Sequence, residues 1–194
     1  MILTLAVFVG FIAGVVRAKI RKQQYQVPDL HFLWLLLIAV FPQIVTFHLK
    51  GNVQFIPDKI AAIILVSSQI LLLIFVWLNR HLPGFWVLGL GLSLNLLVIS
   101  LNGGLMPISP VTVKKLIPSA ILTPDIFGSR LGSTKDVLLQ VSDTRLWFLS
   151  DWFTFPEWFP YRVAFSLGDI LIAFGIFRLL WKPAIPSFQK NRGS

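Results

Sequence analysis

Cysteine is absent from the sequence. That excludes disulfides, thiolate catalysis, cysteine-ligated metals and covalent c-type haem attachment. Charge is scarce: 13% of the 194 residues are Asp, Glu, Lys or Arg, and only eight are acidic. With 56% hydrophobic residues and a mean hydropathy of +0.79, the chain has too little polar surface to cover a soluble domain of this size. A long polar linker is lacking, and so is an internal repeat, so one membrane domain over residues 1–194 is expected. The H-E-x-x-H motif, the phosphate-binding glycine loop and the serine elbow are all missing, which leaves those enzyme classes without support. The three histidines fall on separate segments, with His48 expected at the outer face and His31 and His81 near the inner one. No pair at matched depth is predicted, so neither haem, metal nor any other cofactor is expected.

What is present is a series of apolar runs. Five are near the roughly 20 residues a bilayer requires: Ile2 to Val16, Leu30 to Leu49, Ile60 to Leu78, Pro83 to Leu101 and Val163 to Trp181. The first has the length of a signal-peptide core. Its positive charges (Arg17, Lys19, Arg21, Lys22) follow the apolar run, however, and no A-x-A site appears, so a retained first helix is expected. The basic cluster should remain in the cytoplasm. Alternation then puts Arg80, Arg178, Lys182, Lys190 and Arg192 on the same side, giving nine basic residues and one acid, Asp29. The other side holds eight basic residues and seven acids. The pattern predicts five spans with the N-terminus outside and the C-terminus inside. The net charge of +9 needs no nucleic-acid partner, because anionic headgroups suffice.

The connection 102–162 is then extracytoplasmic. Ser109-Pro110 ahead of VTVKKLI predicts a short helix, with serine as N-cap and proline at the first position. Ile121 to Thr134 reads as loop, and Asp136 to Val141 as either a short strand or a helical turn. Between Leu146 and Tyr161 lie four Phe, three Trp and one Tyr, a density suited to the headgroup region.

Asp169 is an ionisable group inside the last apolar run, and such a residue is a functional-site candidate by default. Helical rise sets it roughly 9 Å below Val163, near the outer face. Asp151, 18 residues upstream, is expected at that face. Two adjacent carboxylates disfavour double ionisation, so one acid and one base coexist at neutral pH, as water activation needs. The competing reading has Asp169 bonded to a polar side chain of a neighbouring helix and Asp151 solvated in a turn. Asn95 is polar within the fourth span and is a candidate to face Asp169. Asn102-Gly103-Gly104 reads either as a helix C-cap with a tight exit turn or as backbone that positions substrate. Gly10 and Gly14 form GxxxG, a helix-contact motif and weak support for dimerisation.

Three segments, Leu78 to Ser109 (containing NGGLMP), Asp143 to Phe153 and Phe165 to Gly175 (containing FSLGD), resemble a family of small bacterial multi-pass membrane proteins of unknown function. That resemblance implies a bacterial plasma-membrane protein and supplies no activity. The last third is also distantly similar to lipoprotein signal peptidase. In that family an outer-face Asp is followed by an F-N-x-A-D motif entering the last helix. Phe165-Ser166-Leu167-Gly168-Asp169 runs into Ile172 and Gly175 at the same offsets, and Asp151 falls near the place of the first Asp. Ser166 stands where that family has Asn and Gly168 where it has Ala; the Asp and Arg expected after Asn95 are missing.

The expected fold is therefore an all-α integral membrane protein of about five spans with an extracytoplasmic loop subdomain. Two functions follow. One is an aspartic, peptidase-like hydrolase using Asp169 and Asp151, with Asn95, Asn102, Gly103, Gly104 and Ser166 orienting them or the substrate. The other is a non-catalytic accessory or scaffold subunit of a membrane complex. Membrane lipids and other membrane proteins are the expected partners.

Overall fold

The computed structural model describes residues 2–47 and 56–181. His48, Lys182, Lys190 and Arg192 lie outside the described residues, as does the end of the second expected span. Five helices carry the apolar runs: α1 (Ile2–Ile20), α2 (Leu33–Phe47), α3 (Asp58–Leu78), α4 (Phe85–Leu101) and, last in the chain, α6 (Leu167–Trp181). Among them α1 and α3 are long and apolar enough to cross a membrane, and α2 and α4 are shorter apolar helices.

The helices pack in the spatial order α2, α3, α4, α6, α1. Their directions follow from their contacts. Asn79, at the end of α3, bonds the backbone N–H and C=O of His31, just before α2. Gly91 of α4 lies against Gly168 of α6, and Gly84, before α4, lies against Gly175. The two helices therefore run antiparallel. Gly10 meets Phe177 and Gly14 meets Leu180, so α1 runs parallel to α6. One end of the bundle thus gathers Arg17, Arg80 and Arg178. The other end carries the segment between α4 and α6.

Helices α2, α3 and α4 start within three residues of expectation, and two other boundaries differ by more. Helix α1 continues past Val16 to Ile20, where Ala18 is buried and Arg17 Nη1 donates 2.9 Å to the carbonyl of Trp181. Basic residues in a last turn also suit the negative end of the helix dipole. The expected last span began at Val163, but α6 begins at Leu167. Ala164–Phe165 instead form strand β4, paired antiparallel with β3 (Phe153–Thr154) in the register Phe153↔Phe165. GxxxG makes an intramolecular contact, since Gly10, Gly14 and Ala18 are the buried residues of α1 and a Cβ on Gly14 would strike Leu180 and the Tyr25 ring.

The intervening segment is not irregular loop alone. After α4, Gly103 and Gly104 take φ of +82° and +87° through the exit turn. Strand β1 (Met106–Ile108) follows, then α5 (Pro110–Leu116), whose Ser109 cap accepts from Thr112 N–H at 3.1 Å. Strand β2 (Asp136–Leu138) pairs parallel to β1, with Met106 opposite Asp136. Parallel pairs are favoured where both faces are covered, and Met106, Ile108, Val137 and Leu138 are all buried. Met106 and Val137 join Ala61 and Leu65 of α3 and Val98 and Ile99 of α4 in one core cluster. That shared core seats the segment on the helix ends.

A polar circuit and a buried ion pair as the candidate site

Ser166 is the first residue beyond β4 and caps α6. Its Oγ accepts from Asp169 N–H at 3.0 Å, and its own N–H donates to Asp169 Oδ2 at 3.2 Å. The two bonds form a reciprocal capping box, with the acid three residues after the cap. A carboxylate in the first helical turn also faces the positive end of the helix dipole. Asn95 of α4 closes the arrangement. Its Nδ2 donates 2.9 Å to Asp169 Oδ1, and its Oδ1 accepts from Ser166 Oγ at 2.8 Å. Four hydrogen bonds thus join three side chains and two backbone amides in a closed circuit. Ser166 and Asn95 are buried and Asp169 is half-buried.

Glycine makes the circuit reachable. A Cβ on Gly168 would collide with Asn95 Oδ1, and one on Gly91 would lie 2.5 Å from the Gly168 carbonyl. Only bare backbone lets α4 and α6 approach closely enough for Asn95 to touch both Ser166 and Asp169.

Asp151 belongs to a different arrangement. Its N–H donates 3.1 Å to the Pro107 carbonyl, and Ile108 and Asp151 form a parallel bridge. It therefore extends the β1–β2 pair on the free side of β1. This holds the carboxylate at 1% exposure, not in a solvated turn. Lys135 Nζ lies 2.6 Å from Asp151 Oδ2 and 3.4 Å from Asp136 Oδ1. Asp151 Oδ1 is buried and has no hydrogen-bond partner among the described residues. Burial pushes the Asp151 carboxyl up, to about 7, against the Lys135 ammonium, which pulls it down; the Asp136 and Asp169 carboxylates add to the rise. Burial pulls the Lys135 ammonium down, but Asp151, Asp136 and Asp169 together outweigh it and hold the group above its usual range.

The structure thus brings Asn95, Ser166 and Asp169 together and gives Asp151 a separate partner. No hydrogen bond joins Asp151 to Asp169 among the described residues. The ladder still makes them neighbours in the fold, because Phe153 pairs with Phe165 and the two acids lie just beyond those residues. Asn102 does not join either arrangement. Its Nδ2 donates 2.8 Å to both the Val98 and Arg145 carbonyls, and its Oδ1 accepts from Arg145 N–H at 2.9 Å. It caps α4 and ties down the loop, with Gly103 and Gly104 forming the exit turn.

Residues 28–181 match the model of a family described as DUF5317, a family of unknown function. The chain belongs to that family. The match takes in Asn95, Lys135, Asp151, Ser166 and Asp169 and leaves out α1. A relative from Thermotoga maritima, described as an uncharacterized protein, is 31% identical over 133 residues, covering 68% of this chain and 69% of the relative. No solved structure matches the chain.

Sequence reasoning missed several residues of this DUF5317 chain that organise the same end. Lys135 carried no signal, being one lysine in a polar loop. Arg130 also went unmarked. Its Nε sits 3.2 Å from Asp58 Oδ1, and its Nη2 donates 2.8 Å to the Ile56 carbonyl, fastening the loop to the start of α3. At the opposite end, the expectation that no two histidines match in depth is corrected. The His31 and His81 rings lie 5.8 Å apart, because Asn79 draws the approach to α2 onto the end of α3. No group of three metal-ligating side chains exists among the described residues.

Proposed function

We propose that this chain is a five-span protein of the bacterial plasma membrane acting as a non-catalytic accessory or scaffold subunit, its outer segment presented to a partner membrane protein. Helices that alternate in direction along the chain, large apolar side chains exposed on α1 and α2, and aromatic residues at both ends support the membrane reading. The observation that carries the scaffold reading is the Asn95–Ser166–Asp169 circuit. Both oxygens of Asp169 already accept hydrogen bonds from the protein's own groups, and the acid is used to lock α6 onto α4. Interhelical polar bonds of this kind contribute about 1 kcal/mol each in a bilayer.

One observation favours the hydrolase as a second reading. Asp151 Oδ1 is buried without a partner, and its carboxyl is pushed to about 7, where it holds a proton near neutrality. That is the protonation state a general acid needs. The two readings separate in cells carrying D151N or D169N. A scaffold predicts that tagged D169N protein loses co-purifying membrane proteins and falls in abundance, while precursor processing is unchanged. A hydrolase predicts that D151N accumulates an unprocessed membrane-protein precursor at normal abundance of the variant. Normal processing in D151N sinks the hydrolase; absence of any co-purifying membrane protein from wild type sinks the scaffold.

A further inference from the structure

We infer that a groove on α1, closed at one end by Trp181, binds one anionic glycerophospholipid, with an acyl chain along α1 and the phosphate on Arg17 and Arg21. This rests on the membrane-spanning reading above. The groove is about 450 Å³ and is lined by Val9, Ile12, Ala13 and Val16, with Arg17, Arg21 and Trp181 at one end. Its chemistry is therefore divided along its length, apolar for most of the run and doubly cationic at the end. An amphiphile with a negative head matches that division, and a neutral one does not.

Length selects a lipid tail over a helix. Val9 to Arg21 spans about 18 Å of helix, close to half of a hydrocarbon core about 30 Å thick. The groove thus runs one leaflet deep and ends where a headgroup would lie. A second helix would need small residues for close approach, but Gly10, Gly14 and Ala18 of α1 are already buried, the two glycines against α6 and Tyr25, and among the small residues only Ala13 lines the groove. The rest of the groove wall is Val9, Ile12, Val16 and Ile20, branched side chains that offer a continuous apolar face to an acyl chain.

The cationic end is partly preorganised. Arg17 Nη1 donates to the Trp181 carbonyl at 2.9 Å, and its guanidinium lies 5.5 Å from the Trp181 ring centre. A guanidinium has five N–H donors, so this bond leaves others for phosphate, which arginine grips in bidentate fashion. Arg21 is exposed one turn further on.

The test is native mass spectrometry of the full-length protein in detergent, titrated with phosphatidylglycerol and separately with phosphatidylcholine of the same chains. Phosphatidylglycerol should bind at least fivefold more tightly. R17Q/R21Q should reduce that binding at least fivefold, to the phosphatidylcholine level. A13F, which fills the groove and leaves both arginines, should reduce it as much. R80Q, a cation at the same end of the bundle but outside the groove, should leave it unchanged. Equal binding of the two lipids, or an R80Q effect as large as that of R17Q/R21Q, overturns the site. Tight binding that arises only on deletion of residues 182–194 also overturns it, since the chain's own tail would then fill the groove. Carbonate extraction separates this failure from failure of the membrane reading. Release of the chain by alkali overturns both, whereas an alkali-resistant chain without lipid preference overturns only the site.

Discussion

Asp151 is held by opposing forces, since burial favours its neutral form and Lys135 its charged one. Burial prevails, and the carboxyl rises from an ordinary value near 3.8 to about 7. Between those values the folded protein holds a proton that the unfolded chain has released. Stability must therefore fall as pH rises through that window and level off above about 7. Lys135, held above its usual range, stays protonated throughout and adds no slope there. Thermal unfolding of the detergent-solubilised protein from pH 4 to 8 should give a falling midpoint, and D151N should flatten it. A midpoint that climbs over this range in wild type would mean that the ammonium outweighs burial. Removing the ammonium has a separate consequence. Above about pH 7, where Asp151 is ionised, K135M leaves its buried carboxylate without a cation and should destabilise by about 3 kcal/mol, the low end for such a break, because the lysine side chain keeps 35% of its surface exposed. The doubly neutral K135M/D151L pair should recover most of that loss, which a double-mutant cycle reads directly.

The α4–α6 crossing depends on what its glycines lack. G168A puts a methyl group where Asn95 Oδ1 sits. The clash should cost about 1–3 kcal/mol and uncouple Asn95 from Asp169. G103A is the contrasting case, since nothing lies within 4 Å of its added carbon while its backbone keeps φ near +82°. It should cost only about 1–2 kcal/mol, from backbone strain. The coupling that N95A and D169A show through their shared hydrogen bond should be kept in G103A and reduced in G168A, as a collision specific to position 168 requires. The same crossing separates what the sequence could tell from what it could not. Asn95 and Asp169 stood out because each is polar in an apolar run, and facing helices leave such groups few partners but one another. The start of α6 was misread because Val163 to Phe165 is as apolar as a span, yet β4 pairs with β3, and periodicity over three residues cannot separate the two. The Lys135–Asp151 pair was invisible for a different reason. A parallel strand pair and a bridge across β1 bring together residues 16 apart in a polar segment, and no local pattern encodes that register.

At the scale of the whole molecule, five apolar helices alternate in direction along the chain, so that Arg17, Arg80 and Arg178 gather at one end and the β1–β2 segment at the other. Helix packing alone does not require this sorting of charge. An amphipathic soluble bundle would distribute arginines along its outer faces, whereas here the faces of α1 and α2 expose Phe8, Ile12, Leu37 and Phe41. The proposed membrane setting would account for both facts, since a bilayer would solvate the apolar faces and a cytoplasmic leaflet would attract the basic end. The absence of cysteine makes the orientation directly readable, because any single introduced thiol is the only one in the chain. Q23C lies beyond the basic end of α1, and S142C lies at the opposite end of the bundle, between the β2 strand and the aromatic stretch; both positions are exposed. In intact spheroplasts a membrane-impermeant maleimide should label S142C and leave Q23C unlabelled until the membrane is opened. Labelling of Q23C alone would invert the proposed orientation and move Asp151 and Asp169 to the cytoplasmic face. Labelling of both before lysis would mean that the helices do not separate the two ends, and the sorting of charge would need another cause.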